Sequence, residues 1–326
     1  MRLASLLAML TFSYIMLFTL SLSIGVYKFY TPLEIIAILE GYGSPVDRAV
    51  VELRLWRGIA ATTVGIGLAV SGLVIQRLLG NPLADPYILG VSPGAALSYV
   101  IALLLGLWGP LKLLLTFLGG LLAYSIVVLV ASMVGLTSLA LIIAGVALSY
   151  VFSSLSIIAI TMLGPELGLA LSWLFGTVAY TYKDTSLTLT IVVLASLAFI
   201  AFNRGALTAL LLGEEVSRAL GVNVRVLRLS MTATVALTVS LITAVSGPIG
   251  FIGLTAPWIA RILVGADFTR LLLITTITGA MLGLGSDVIV RLVGGGRELP
   301  LTAITALLGA PLLFYLAVRG RHVGGL

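Results

Sequence analysis

The chain has 326 residues, of which 60% are hydrophobic and 9% charged, with a formal net charge of +6 and no cysteine. A soluble domain carries roughly 25% charged residues, so this composition excludes a soluble globular fold, and the missing cysteines exclude disulfides and thiolate metal sites. The 18 lysines and arginines are scattered singly between apolar runs rather than gathered with aromatics, which argues against a nucleic-acid partner and for membrane topology.

A bilayer core takes about 20 apolar residues per helix. The chain divides into about ten such runs, so the predicted fold is all-α, a single polytopic transmembrane domain over residues 1–326. After Arg2, Leu3 to Val26 is too long for a signal-peptide core and predicts the first span. Tyr27 to Arg57 is mixed and polar, long enough for a surface helix after Pro32 on the face opposite the N-terminus. Gly58 to Leu79 is the second span, whose Gly65, Gly67, Ser71 and Gly72 let a neighbouring helix approach closely.

The prolines of GNPLADP, residues 80–86, force a tight reversal. The third, fourth and fifth spans follow at Tyr87 to Leu107, Leu111 to Val134 and Leu139 to Met162, the last two joined by the uncharged turn Gly135 to Ser138. Gly164 to Ser186 has an apolar centre too short to cross, which predicts a re-entrant or interfacial half-helix at the mouth of a pathway. Such a segment is tolerated at membrane depth only where protein covers it or it lines a cavity. The sixth and seventh spans are Leu187 to Phe202 and Leu229 to Val245. The glycines and prolines of SGPIGFIGLTAPWIAR, 246–261, predict a bent connection and a short eighth span. Leu271 to Leu292 is the ninth, with Gly279 and Gly283 as a helix-contact pair, and Thr302 to Val318 the tenth.

Between the sixth and seventh spans, Asn203 to Arg228 is a long polar passage. Glu214 and Arg218 stand four apart, the spacing that pairs opposite charges on one helical face, and Gly213 and Gly221 bracket them. This predicts a short amphipathic helix between glycine turns, outside the bilayer on the side of the N-terminus. On that layout ten of the 18 basic residues lie on the N-terminal side and eight on the other, so charge alone orients the chain weakly.

A proton-coupled carrier places ionisable residues inside its spans. Here Asp287 is nearly the only acidic residue in an apolar run, and Arg291 four residues later makes an intrahelical pair the simplest reading. Clustered metal ligands and a GxxxxGK[ST] phosphate loop are missing, and the single histidine, His322, sits in a polar tail. Any energy supply must therefore come through a partner, and 203–228 is the best surface for one.

The stretches LRLWRGIAATTVGIGLAVSGLVIQRLLGNPLADPYILGVSPGAAL (53–97), LIIAGVALS (141–149), LLLGEEVSRALGVNV (210–224), SGPIGFIGLTAPWIARILVGADFTRLLL (246–273) and LGLGSDVIVRLVGGGRELPLTAITALLGAPLLFYLAVRG (282–320) together resemble the FecCD-like permease subunits of type II ABC importers. That family moves ferric siderophores, haem and cobalamin. The resemblance implies ten spans in a cell membrane with both termini cytoplasmic. It implies a homodimer working with two ATP-binding ATPase subunits and an extracellular or periplasmic substrate-binding protein. ATP and Mg belong to the ATPase, and no cofactor or metal to this chain. Leu210 to Gly221 matches the coupling helix, with Gly213, Glu214, Glu215, Arg218 and Gly221 as the residues that meet the ATPase. Arg54, Arg57 and Arg291 match arginines that dock the binding protein, and Asn81, Leu83, Thr137 and Ser138 match cytoplasmic gate positions. Two departures stand out: Pro257-Trp258 where the family often has Pro-His, and Leu55-Trp56-Arg57 where it has Leu-Pro-Arg. The rival reading is an ion-gradient-driven secondary transporter, which calls for discontinuous helices in corresponding halves.

Overall fold

The computed structural model describes residues 3–25 and 27–319; Arg2, Arg321 and His322 lie outside them. Among the described residues the regular structure is entirely helical: α1 (Leu3–Ser23), α2 (Pro32–Leu39), α3 (Pro45–Leu79), α4 (Val91–Leu104), α5 (Gly109–Ser132), α6 (Ser138–Thr161), α7 (Leu167–Leu174), α8 (Lys183–Phe202), α9 (Arg204–Ala209), α10 (Glu214–Ala219), α11 (Val224–Ser246), α12 (Ile252–Val264), α13 (Phe268–Gly294) and α14 (Leu301–Arg319). Seven of these are long and apolar enough to cross a membrane, and α4, α12 and α14 are shorter apolar helices. Together they account for the ten predicted runs.

The largest departure from the sequence reading is at α3. The second span and the polar stretch 45–57 before it are not separate elements, because one 35-residue helix runs from Pro45. Ser44 and Asp47 close a capping box at its start, Pro45 occupies the first turn, and no breaker follows until Gly80 ends the helix in the left-handed region at φ 62°. The surface helix expected after Pro32 is the eight-residue α2, capped reciprocally by Thr31 and Glu34. The third span also starts later than expected. Asp85-Pro86 opens a 3₁₀ turn over Pro86–Leu89, and α4 begins only after Gly90.

α3 is the buried axis. Its glycines let other backbones come closer than a side chain would permit, as the sequence predicted. A Cβ on Gly65 would lie 2.1 Å from the Gly279 carbonyl oxygen, and one on Gly72 1.8 Å from that of Gly253. α13 therefore packs along the middle of α3, through Gly65, Gly279 and Gly283, and the start of α12 nearer its C-terminal end. The half-helix expected in 164–186 is the eight-residue α7. Trp173 on it stacks on Tyr99 of α4, ring centroids 3.9 Å apart, and the Gly176 carbonyl accepts from the Leu301 N–H that opens α14.

Candidate functional site

From Arg54 to Leu78, α3 rises ~36 Å at 1.5 Å per residue, slightly more than the ~30 Å hydrocarbon core of a bilayer. Polar networks sit at both ends of that length, and they contain nearly every predicted site residue.

At the first end, α3 meets the end of α1 and the last turns of α13. Arg54 is buried; its Nη1 donates to the Leu22 and Ser23 carbonyls, each at 2.9 Å, and its Nη2 to that of Lys28 at 2.7 Å. The Leu22 and Ser23 carbonyls end α1 and need donors that no following helical turn supplies. Arg57 Nε donates to Asp287 Oδ1 at 2.8 Å, and its two Nη groups to Glu298 at 2.8 and 3.1 Å. Arg291 Nη1 donates to the Ser21 and Ile24 carbonyls, while its Nη2 lies 3.0 Å from Asp287 Oδ2. Asp287 is fully buried and is thus shared by two guanidinium groups. A cleft of about 250 Å³ opens beside the cluster, and Arg297 and Glu298 line its rim. The structure places Arg54, Arg57 and Arg291, the three docking candidates, at one end of α3, but turns the guanidinium groups of Arg54 and Arg291 inward, onto the backbone at the end of α1. The Asp287–Arg291 pair was legible from its spacing; Arg57, 230 residues from Asp287, was not.

The second end is built from the 203–228 segment, the turn after α3 and the turn between α5 and α6. The predicted coupling helix Leu210 to Gly221 is not continuous. Leu210–Leu212 is a 3₁₀ turn, Gly213 at φ 94° breaks it, and α10 runs only six residues before Gly221 turns the chain at φ 84°. Left-handed φ at both glycines is costly for any residue with a Cβ, which is why the segment begins and ends there. Glu214 pairs with Arg218 as the spacing predicted, Nη2 to Oε2 3.0 Å. Its other oxygen accepts from Arg228 Nη2 at 2.5 Å. Arg228, at the start of α11, is buried; its Nη1 donates to the Leu136 carbonyl at 2.7 Å and its Nη2 reaches Ser138 Oγ at 3.3 Å. The one sequence signal for this role was an arginine beside an apolar run with no acidic partner four residues away.

The predicted gate positions occupy the same end. Thr137 caps α6, its Oγ1 accepting from Ala140 N–H, and Ser138 Oγ donates to the Leu78 carbonyl at 3.1 Å. Asn81 Oδ1 accepts from Leu83 N–H at 2.9 Å, an Asx turn that leaves the Leu83 side chain exposed. Trp258, one of the two departures, fills a structural part here: its indole N–H donates to the Pro82 carbonyl at 2.9 Å and pins the turn. A cleft of about 380 Å³ separates this turn from the 203–228 segment, bounded by Gly80, Pro82, Leu210 and Leu211. In the same turn, burial pushes the Asp85 carboxyl up to about 6, against the bond its Oδ1 accepts from Tyr87 N–H at 2.9 Å.

Among the described residues no group of three or more His, Cys, Asp or Glu side chains could hold a metal ion. The site consists of two charged networks joined by a helix.

Comparison with known proteins agrees over nearly the whole length. Residues 13–319 match the FecCD transport family. A vitamin B12 import system permease of Vibrio cholerae is 35% identical over 285 residues, covering 86% of each chain. An Fe(3+)-citrate import system permease of Bacillus subtilis is 31% identical over 284 residues, 86% of this chain and 84% of that one. A solved structure described as an inward-facing conformation of a metal-chelate type ABC transporter superposes with a TM-score of 0.88 at 32% identity, over 97% of this chain and 99% of the other. With ten apolar helices among the described residues, these matches establish that the chain belongs to the FecCD transport family and is an ABC transporter permease.

Proposed function

We propose that the chain is the membrane-spanning half of an importer that receives a metal chelate from a binding protein and releases it into the cytoplasm, powered by a separate ATPase. Ferric siderophore is the preferred cargo, with cobalamin and haem next. Two copies form the pathway, each docking one ATPase subunit on the 203–228 segment, and both termini are cytoplasmic. The observation that carries this reading is α10 with its flanking turns, where Glu215 and Arg218 stand exposed beside Leu211, Leu212 and Leu220. Exposed apolar side chains among opposite charges, outside the spans, suit burial against a soluble partner.

Two further observations support it. Asp287, the one acidic side chain deep among the spans, is held between two arginines, an arrangement that favours a structural ion pair over a proton carrier. A chelate that already encloses its metal needs no ligands from the pathway. Selectivity then rests with the binding protein, and Asn81, Leu83, Thr137 and Ser138 gate the cytoplasmic mouth. At the other end, Arg54 and Arg291 shape the docking surface from beneath, while exposed Arg297 and Lys28, with Arg57 in the cleft, present positive charge to an acidic binding protein.

The test is reconstitution. The chain, the ATPase subunit and the binding protein in one vesicle preparation should take up a ⁵⁵Fe-labelled ferric siderophore only with ATP and Mg. If the binding protein retains cobalamin or haem instead, the cargo assignment changes; if no ATPase subunit co-purifies, the coupling assignment falls.

A further inference from the structure

We propose that Arg228 is a positioning residue that locks α10 to the turn 135–138, so that the ATPase-facing segment and the gate turn move as one body. The inference rests on the coupling and gate assignments above and names the part that joins them. Two independent observations carry it.

The first is the path of contacts. Glu214 is the only carboxylate on Arg228 among the described residues, and it sits at the first position of α10. The same guanidinium holds the Leu136 carbonyl at 2.7 Å and reaches Ser138 Oγ at 3.3 Å, and Ser138 in turn donates to the Leu78 carbonyl. Moving α10 away would leave buried Arg228 without the one carboxylate that pairs with it, a loss that carrying the turn along avoids.

The second is strain. Leu136 has φ 54°, a left-handed conformation rare for a bulky residue without glycine's freedom. Such a conformation persists only where its surroundings over-determine it. Here Leu136 is buried by its side chain, and Arg228 clamps its carbonyl. If the clamp is released, the turn has a lower-energy backbone to relax into, and the start of α6 at Thr137 shifts with it. The same bond therefore links α10 to the gate and keeps the gate turn in its strained shape.

The chain alone, in lipid nanodiscs, tests the lock by amide hydrogen exchange. The Leu136, Ala140 and Leu141 N–H groups are each bonded within or beside the turn. Glu214→Gln should speed exchange over 136–141 by about tenfold, Arg228→Lys by less, and Glu215→Gln not at all. Peptides around Asp287 in α13 serve as the internal reference against global loosening. Equal exchange over 136–141 in Glu214→Gln and the unsubstituted chain would overturn the proposal. This chain has no native cysteine, so a single nitroxide can be attached to it at Val216→Cys or Leu139→Cys before the importer is assembled. A non-hydrolysed ATP analogue should change both spectra, and in the Glu214→Gln background only that at 216. Retention of the full response at 139 in that background overturns the lock. If the label at 216 ignores nucleotide in the unsubstituted complex, the coupling reading fails, while the exchange result still decides whether Arg228 locks the turn.

Discussion

At the arginine end of α3, two guanidinium groups share fully buried Asp287; Arg57 also reaches Glu298, which is 38% exposed, and Arg291 the backbone carbonyls of Ser21 and Ile24. At the 203–228 end, Arg228 is equally buried, but the carboxylate that balances it, Glu214, is 44% exposed on a six-residue helix. The first network holds one anion wholly buried between two arginines, and the second balances its buried arginine only from the surface. A buried, shared anion braces the fold; a surface one can be pulled. That difference separates the proposed docking end from the proposed coupling end.

The sharpest way to break the comparison is to remove the anion from each end. Asp287→Asn leaves Arg57 and Arg291 without their common buried counter-charge and should cost roughly 3 kcal/mol or more, read as a lower midpoint in thermal or denaturant unfolding in detergent. Next comes the Asp85 carboxyl in the turn after α3, raised from 3.8 to about 6 by burial. A raised acid pKa means that the folded chain binds the proton more tightly than the unfolded one. Stability is then full below about pH 4, falls as the pH rises to about 6 and stays low above it. Asp85→Asn should flatten this profile and stabilise the protein at pH 7.5 by about 2 kcal/mol, whereas a denaturation midpoint still falling between pH 4 and 6 in the variant would move the titrating group elsewhere. Glu214→Gln should cost about 1 kcal/mol or less, because solvent screens its carboxylate, yet it should uncouple cargo uptake from ATP hydrolysis more than Asp287→Asn does. Smallest of all, Arg297→Glu at the exposed rim should change stability by no more than about 0.5 kcal/mol, while slowing association of the binding protein at low salt in surface-bound kinetics.

Much of this was legible in the sequence, for local reasons. Apolar run lengths gave the ten helices, the glycines at 65, 72, 279 and 283 marked where α3, α12 and α13 come close, and spacings of four announced Glu214–Arg218 and Asp287–Arg291. What stayed hidden depends on distant parts of the chain. The polar stretch 45–57 looked separate from the following span, but its charges ride on the part of α3 beyond the apolar run, capped at Ser44. Arg54 and Arg291 looked like surface cations, because only the fold brings the carbonyl-bearing end of α1 to them. Arg228 and Leu136 are 92 residues apart, and nothing in a single helical period connects them.

The central claim is that this permease supplies a pathway and borrows its energy. The most direct measurement is ⁵⁵Fe-siderophore uptake into vesicles carrying the chain with or without its ATPase subunit, under either ATP and Mg or an imposed proton or sodium gradient. Accumulation should require the ATPase and ATP together and ignore the gradient. Accumulation by the chain alone, driven by an ion gradient, would contradict the account.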